Sequence, residues 1–326
     1  MTVRALFAVA GLVLALTLGN GGAQAQGYPD RLIKLVAPFP AGGVVDVLAR
    51  KLGDELSKSL GQTVIIENRP GAGGNIGADA VAKSEPDGYT LLMTSPGIQS
   101  INQFLYKTMP FSPETAFEPI SLVADMPMLV VLAGKHNFKT LKDFIDAAKA
   151  QPDGFTFGSP GFGSTGHLGM ELLAYTAGIK VRHTAYRGAA PAVNDLLGGH
   201  IDAVVDNPPT VVNQILAGKL NPLAVANMKR LPVLPNVPSS TEAGLPDFRI
   251  SSWFGLMAPA KTPAAIIDRL QKEVAKAVAQ PAMRKFESDT GIVLVGGTSA
   301  EFDALIKSER EKYSNLIAKA KIEMPN

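Results

Sequence analysis

Hydrophobic and polar positions along the chain alternate between two rhythms. Leu32–Ala37, Thr63–Asn68 and Tyr89–Thr94 are short apolar or β-branched runs, and they predict strands. Between the first two, Val44, Leu48, Leu52, Leu56 and Leu60 recur every four residues, with Val45 and Ala49 beside them. That spacing predicts one face of a helix. Gly61 is placed to end it. Asn75 is placed to cap an Ala-rich helix after the Gly/Pro loop Arg69–Gly74. Further strands are predicted at Met128–Ala133, Phe155–Ser159, Ala203–Asp206, Pro222–Ala226 and Ser251–Ala258. Further helices are predicted from Thr140, with Asp143, to near Gln151, over Ser164–Ala177, and near Thr210–Ala217. Thr262-Pro263 predicts a helix with proline at its first position, and Thr298 with Glu301 a capping box opening the last long helix. Strands alternating with helices predict α/β architecture with largely parallel sheets. Phe111–Pro119 and Arg230–Pro246 are the two most Pro-rich connecting stretches.

The first residues break this rhythm. Arg4 precedes an apolar run from Ala5 to Leu18, then Gly19-Asn20-Gly21-Gly22 and Ala23-Gln24-Ala25. This is the charged, apolar, small-x-small order of a secretory signal, which predicts cleavage after Ala25. The run is shorter than the roughly 20 residues that span a bilayer. The chain has no cysteine, so a lipid-bearing cysteine, disulfides and thiolate metal sites are excluded, and a soluble periplasmic protein is expected. Formal net charge is only +2, with Lys and Arg scattered rather than striped, which argues against nucleic-acid binding. A mature chain of about 300 residues fits one large or two medium domains.

Chemistry-bearing patterns are few. Gly161-x-Gly163-x-x-Gly166 matches the dinucleotide fingerprint literally, but Val181, between Lys180 and Arg182, stands where an acidic residue belongs. No cofactor is expected. Ser164 follows Phe162-Gly163, so the Gly-x-Ser-x-Gly elbow of an exported hydrolase is missing. His167 and Glu171 lie four apart, yet no third ligand is identifiable and no metal is expected. The loop Pro38–Gly43 lies between a strand end and a helix start, where open α/β sheets bind ligands. Glycines allow close approach, and free N–H groups at the helix start attract an anion. Ala41, Gly42, Gly43 and Val44 are thus candidates to hold a carboxylate without a cationic side chain. The loop Pro160–Thr165 repeats this logic with Gly161, Gly163, Ser164 and Thr165. Two such turns face to face would grip both ends of a dicarboxylate. Arg187 is the candidate for a direct cationic contact, with surface placement as the alternative. Asp46 either lies at the cleft, organising water or accepting from a ligand amine, or sits in a first helical turn and favours the helix electrostatically. His167 either reaches the ligand as a neutral donor or is a surface or capping histidine. Ser95 ends the third strand and is placed to line the cleft.

Several phrases resemble one family. They are Pro38-Phe39-Pro40-Ala41-Gly42-Gly43 with Asp46, Glu67-Asn68-Arg69-Pro70-Gly71-Ala72-Gly73-Gly74-Asn75-Ile76-Gly77, and Pro86-Asp87-Gly88-Tyr89-Thr90-Leu91. Gly158–His167, Tyr186-Arg187-Gly188 and Asp206-Asn207 follow in order. The pattern, which runs from about Tyr28 to the last helix, resembles the Bug family, periplasmic solute-binding receptors of tripartite tricarboxylate transporters. The resemblance implies a type II periplasmic-binding-protein fold, with two α/β domains and a ligand cleft between them. On that division residues 26–124 and 248–326 form the first domain and 125–247 the second. It also implies a small organic acid as ligand, held by main-chain amides and waters, with Phe39 and Asp206 at the cleft. Asp206 would organise water or accept from a ligand amine, or else cap the next helix. The implied partners are membrane permease subunits, or a sensor kinase, with the receptor acting as a monomer and not as an enzyme. Val44-Val45 and Ser95-Pro96-Gly97 depart from the family's usual phrases, which alters the expected shape of the cleft.

Overall fold

The computed structural model describes residues 27–320 and 322. The expected secretory leader and its cleavage point lie outside the described residues. The first half of the first sheet is built by β1 (Ile33–Ala37), α1 (Val44–Leu60), β2 (Val64–Asn68), α2 (Asn75–Ala82), β3 (Thr90–Thr94), α3 (Asn102–Leu105) and β4 (Phe117–Pro127). The chain then crosses to a second sheet: β5 (Leu129–Ala133), α4 (Leu141–Ala150), β6 (Thr156–Ser159), α5 (Thr165–Ala177), β7 (Arg182–Ala185), α6 (Ala189–Leu197), β8 (Ala203–Asp206), α7 (Pro208–Leu216) and β9 (Leu220–Val225). It returns through β10 (Ser251–Pro259), α8 (Ala264–Val278), α9 (Pro281–Thr290), β11 (Val293–Leu294) and α10 (Ser299–Ala320).

The first sheet has the order β11-β4-β10-β3-β1-β2, with β1 parallel to both β2 and β3. The second has the order β7-β6-β8-β5-β9, with β6 parallel to β7 and β8. Each sheet carries its own apolar core, which gives a two-lobed α/β architecture. The lobes meet where three main-chain segments pass side by side. Met128 N–H donates to the Ile250 carbonyl (3.2 Å), Ile250 N–H to that of Ala226 (3.1 Å), and Ala226 N–H to that of Met128 (2.8 Å). The last helix spans both lobes. Phe302 and Ile306 pack with Val36, Leu92 and Trp253 of the first sheet, whereas Tyr313, Leu316 and Ile317 join Phe144, Leu168 and Phe248 around the second.

Local chemistry explains the element ends. Val45, Leu48, Leu52, Leu56 and Leu60 are the buried stripe of α1, and Gly61, with φ 68°, closes it by donating to the Ser57 carbonyl. Thr140 and Asp143 cap each other reciprocally at the start of α4. Thr298 and Glu301 do the same before α10: Glu301 N–H donates to Thr298 Oγ1 (3.2 Å), and Thr298 N–H to Glu301 Oε2 (2.8 Å). Two expected starts shift by one residue. Gly74, left-handed at φ 95°, takes the cap position expected for Asn75. Pro263 is the cap of α8 rather than its first residue, because its ψ of 134° is extended. Among the described residues, no helix is long and apolar enough to cross a membrane.

Candidate functional site

The parallel strands β1, β2 and β3 end at one edge of their sheet, so the turns that follow them lie side by side. The turn Pro38–Gly43 is staked from below by Asp46, which is 4% exposed. Asp46 Oδ2 accepts from Gly42 N–H (2.9 Å) and Arg50 Nε (3.1 Å). Its Oδ1 accepts from Asn68 Nδ2 (2.9 Å) and pairs with Arg50 (2.8 Å). Asn68 Nδ2 also donates to the Phe39 carbonyl (3.1 Å). Burial alone would raise the Asp46 carboxyl. The bonds from Arg50, Gly42 and Asn68 outweigh it and hold the group below its ordinary value. Asp46 thus lies in the first turn of α1, and its carboxylate is bonded back to the turn and to Asn68 and Arg50. Its charge is already balanced by Arg50, so it does not oppose an anion above it. The amides of the turn are divided in use. Gly42 donates to Asp46 and Gly43 to the Pro40 carbonyl (3.4 Å), while the first-turn N–H groups of Val44 and Val45 have no partner within α1.

Two neighbouring loops complete this wall. Gly71, Ala72, Gly73 and Gly74 have φ values of 131°, 47°, 63° and 95°, four successive residues in backbone space that favours glycine. Asn102 holds them: its Nδ2 donates to the Gly73 carbonyl (3.2 Å) and to Asn75 Oδ1 (2.7 Å). A Cβ on Gly74 would lie 3.3 Å from Phe39 Cζ, so the loop rests on that ring. Ser95, buried at the end of β3, gives its carbonyl to the N–H groups of Ile98 and Gln99, opening a π-helical turn at Gly97–Ile101. Such turns cluster at functional sites. Nothing in the local sequence pattern around Asn102 sets it apart.

In the second lobe, β6 and β8 end beside each other, and the turn Pro160–Ser164 opens α5. Ser164 caps that helix: its Oγ accepts from His167 N–H (3.3 Å) and donates to the Gly161 carbonyl (2.6 Å). Gly161 and Gly163 have φ values of 137° and 72°. A Cβ on Gly163 would lie 2.8 Å from Leu105 Cδ1 and 4.0 Å from Asn102 Oδ1. The two lobes therefore come together at this turn. Thr165 and Gly166 are the first residues of α5, and their N–H groups have no partner within the helix.

His167 is neither a surface residue nor the cap of α5. Its ring is 3% exposed and lies beneath the turn, with Nδ1 accepting from Gly163 N–H (3.2 Å). Burial, with His183 beside it, pulls its value from 6.5 down to about 3. Burial likewise pulls His183 to about 4. Both folded values lie below the unfolded one. The neutral rings' contribution is thus complete above about pH 6.5 and is lost as pH falls through about 4 and then about 3. Nε2 of His167 stands 3.7 Å from Glu171 Oε1. Among the described residues, no group of three or more metal-ligating side chains is assembled there or elsewhere.

Asp206 ends β8 and is 1% exposed. Its Oδ1 accepts from Asn207 N–H (2.7 Å), and its Oδ2 has no partner among the described residues. Burial pushes its carboxyl up to about 6. Asn207, not Asp206, holds the cap position of α7, which sets aside the capping role. Arg187 is exposed, next to Gly188, whose N–H donates to the Pro160 carbonyl (3.2 Å). Arg50 is taken up by Asp46, and Arg69 pairs with Glu67. The groups of the two turns that can attract an anion are thus mainly main-chain amides and the N-terminal ends of α1 and α5.

Comparison with known proteins gives a consistent result. The family model TctC, tripartite tricarboxylate transporter family receptor, matches residues 48–322. Protein BugT of Bordetella pertussis is 36% identical over 318 residues, covering 97% of this chain and 98% of its own. Among solved structures, R. palustris Rpa4515 with adipate superposes with a TM-score of 0.86 at 34% identity, over 91% of this chain and 99% of its own. MatC from Rhodopseudomonas palustris with bound malate gives 0.82 at 30% identity, over 89% and 100% of the two chains.

Proposed function

The chain belongs to the tripartite tricarboxylate transporter family of receptors, and from that premise we propose that this solute-binding receptor captures a small dicarboxylate between its lobes and passes it to a membrane permease. The observation that carries this reading is the pair of glycine turns, Pro38–Gly43 and Pro160–Thr165. Each opens a helix whose first N–H groups have no partner within that helix, and the second stands against Leu105 and Asn102 of the first lobe. The bound adipate and malate of the similar structures support an acid of that size, with a carboxylate at each end. On this reading Phe39, Ala41, Val44, Gly161, Thr165, Arg187 and Asp206 face the ligand. Gly42, Gly43, Asp46, Ser95, Gly163 and Ser164 shape the turns around it.

The lobes divide close to residues 124/125 and 247/248, with Asp125–Pro127 completing β4 before the chain crosses, and closure turns on the hydrogen-bonded crossing at Met128, Ala226 and Ile250. An acid touching both lobes stabilises the closed form through its higher affinity for it. The receptor works in the periplasm as a monomer after cleavage following Ala25, and it does so without catalysis. Ser164 supports the last point, since its hydroxyl is committed to the Gly161 carbonyl and to capping α5.

A thermal-shift screen with adipate, malate, succinate, citrate and amino acids tests the reading. A ligand present at about 100 times its Kd stabilises the native state by roughly 2.7 kcal/mol, so at least one dicarboxylate raises Tm by several degrees. A panel in which no acid moves Tm contradicts the proposal.

A further inference from the structure

Beneath the second turn, four rings form one block. His167 and His183 are stacked with centroids 4.2 Å apart and planes 19° apart. Phe157 stands beside the pair, nearly parallel to both rings, with its centroid 4.6 Å from His183 and 6.2 Å from His167. Phe162, from the turn itself, stands edge-on to both imidazoles, 5.3 Å from His167 and 4.6 Å from His183. Each imidazole is bonded to the turn through a different route. His167 Nδ1 accepts from Gly163 N–H, which requires an unprotonated Nδ1 and places the ring's proton on Nε2. His183 Nε2 lies 2.7 Å from Ser159 Oγ. Ser159 Oγ in turn accepts from Gly161 N–H (3.2 Å) and donates to the Gly161 carbonyl (3.0 Å). His183 Nδ1 is buried with no partner among the described residues. A lone pair left there costs less than a buried N–H, which favours the tautomer that carries its proton on Nε2 and donates to Ser159 Oγ. One histidine thus fixes the amide of Gly163, and the other, through Ser159, fixes both polar groups of Gly161.

We propose that the stacked pair His167–His183 is a positioning device for the ligand turn. The pair holds Gly161 and Gly163 in their left-handed conformations, so that the amides of Phe162, Thr165 and Gly166 stay aimed into the cleft. The proposal rests on the ligand reading above, but neither ring touches the ligand. The turn needs such support because left-handed glycines are the most mobile residues available. Amides that must meet a carboxylate gain most when they are already oriented.

The test separates a hydrogen-bond role from bulk packing. His167→Asn keeps an acceptor near the position of Nδ1, and His183→Gln keeps a donor near Nε2, while both lose the ring stack; the alanine variants lose both. Ser159→Ala cuts the His183 route without touching either ring, which covers the case of a histidine variant that fails to fold. Hydrogen exchange of the Gly161 and Gly163 amides is read first, without ligand. Protection of Gly163 is expected to fall at least tenfold in His167→Ala and to be largely restored in His167→Asn. Gly161 is expected to behave likewise in His183→Ala, Ser159→Ala and His183→Gln. Titration with adipate and malate then follows, with roughly tenfold weaker binding in the alanine variants and recovery in the conservative ones. Unchanged exchange at Gly161 and Gly163 in the alanine variants overturns the proposal. So does equal loss of affinity in the alanine and conservative variants, since a packing role alone gives that. A wild-type protein that binds neither acid counts against the ligand reading, and the exchange data then decide the positioning role alone.

Discussion

Gly43→Glu is expected to weaken dicarboxylate binding on the order of a hundredfold while leaving the fold intact. Gly43 has φ −78° and ψ 168°, extended backbone that any residue adopts. A Cβ there would sit 3.4 Å from the Pro40 carbonyl oxygen, an ordinary contact. A carboxylate at the cap of α1 also favours the helix dipole, so folding is not harmed. What changes is the site. Two like charges about 5 Å apart repel by roughly 3 kcal/mol at an effective dielectric constant of about 20. Gly43→Gln has the same shape without the charge, and it isolates this effect. Calorimetric titration of both variants with the best acid from the thermal-shift screen is the check. Equal affinities for Glu and Gln would remove the first turn from the site.

Gly166→Val is expected to damage stability and binding together. Gly166 lies in the first turn of α5, pressed against β8. A Cβ there would be 2.7 Å from the Val205 carbonyl oxygen and 3.1 Å from Pro160 Cδ. The carbonyl belongs to the sheet and cannot swing away, so the helix must retreat. Overpacking of this kind costs about 1–3 kcal/mol, and the movement carries the amides of Thr165 and Gly166 away from the cleft. Tm should fall by several degrees, and affinity for the same acid by at least about tenfold. A variant with wild-type Tm and affinity would show that close contact at Gly166 is not what sets the position of α5. The glycine that completes a dinucleotide-like spacing in the sequence thus serves helix–strand packing here, with no need of a phosphate.

Much of this arrangement is readable in the letters, and what is not has physical reasons. The leucine stripe of α1, the cap at Gly61 and the reciprocal caps at Thr140/Asp143 and Thr298/Glu301 are local, and local patterns suffice for them. Strand β4 is hidden because Pro119 and Pro127 look like connector residues. Pro119 is tolerated because the ladder with β10 shifts register between Leu256 and Met257, and Pro127 because it ends the strand. The two glycine turns are visible as strand–glycine–helix transitions. Their supports are not, because those come from distant parts of the chain. Asn68 reaches back to Phe39 across 29 residues, Asn102 to Gly73 across another 29, and His183 to Ser159 across 24. His167 looks like a first-turn residue pointing outward. Only the placement of β7 next to β6, which brings His183 beneath the turn, shows that the ring points in.

On the proposed reading, one acid is held by main-chain amides of both turns at once. Amide chemical shifts of the 15N-labelled protein, followed while adipate or malate is added, test it most directly. Amides in Ala41–Val45 and in Phe162–Gly166 are expected to shift together, along one saturation curve with a single Kd. An acid that binds while only one turn responds, or neither, would contradict it.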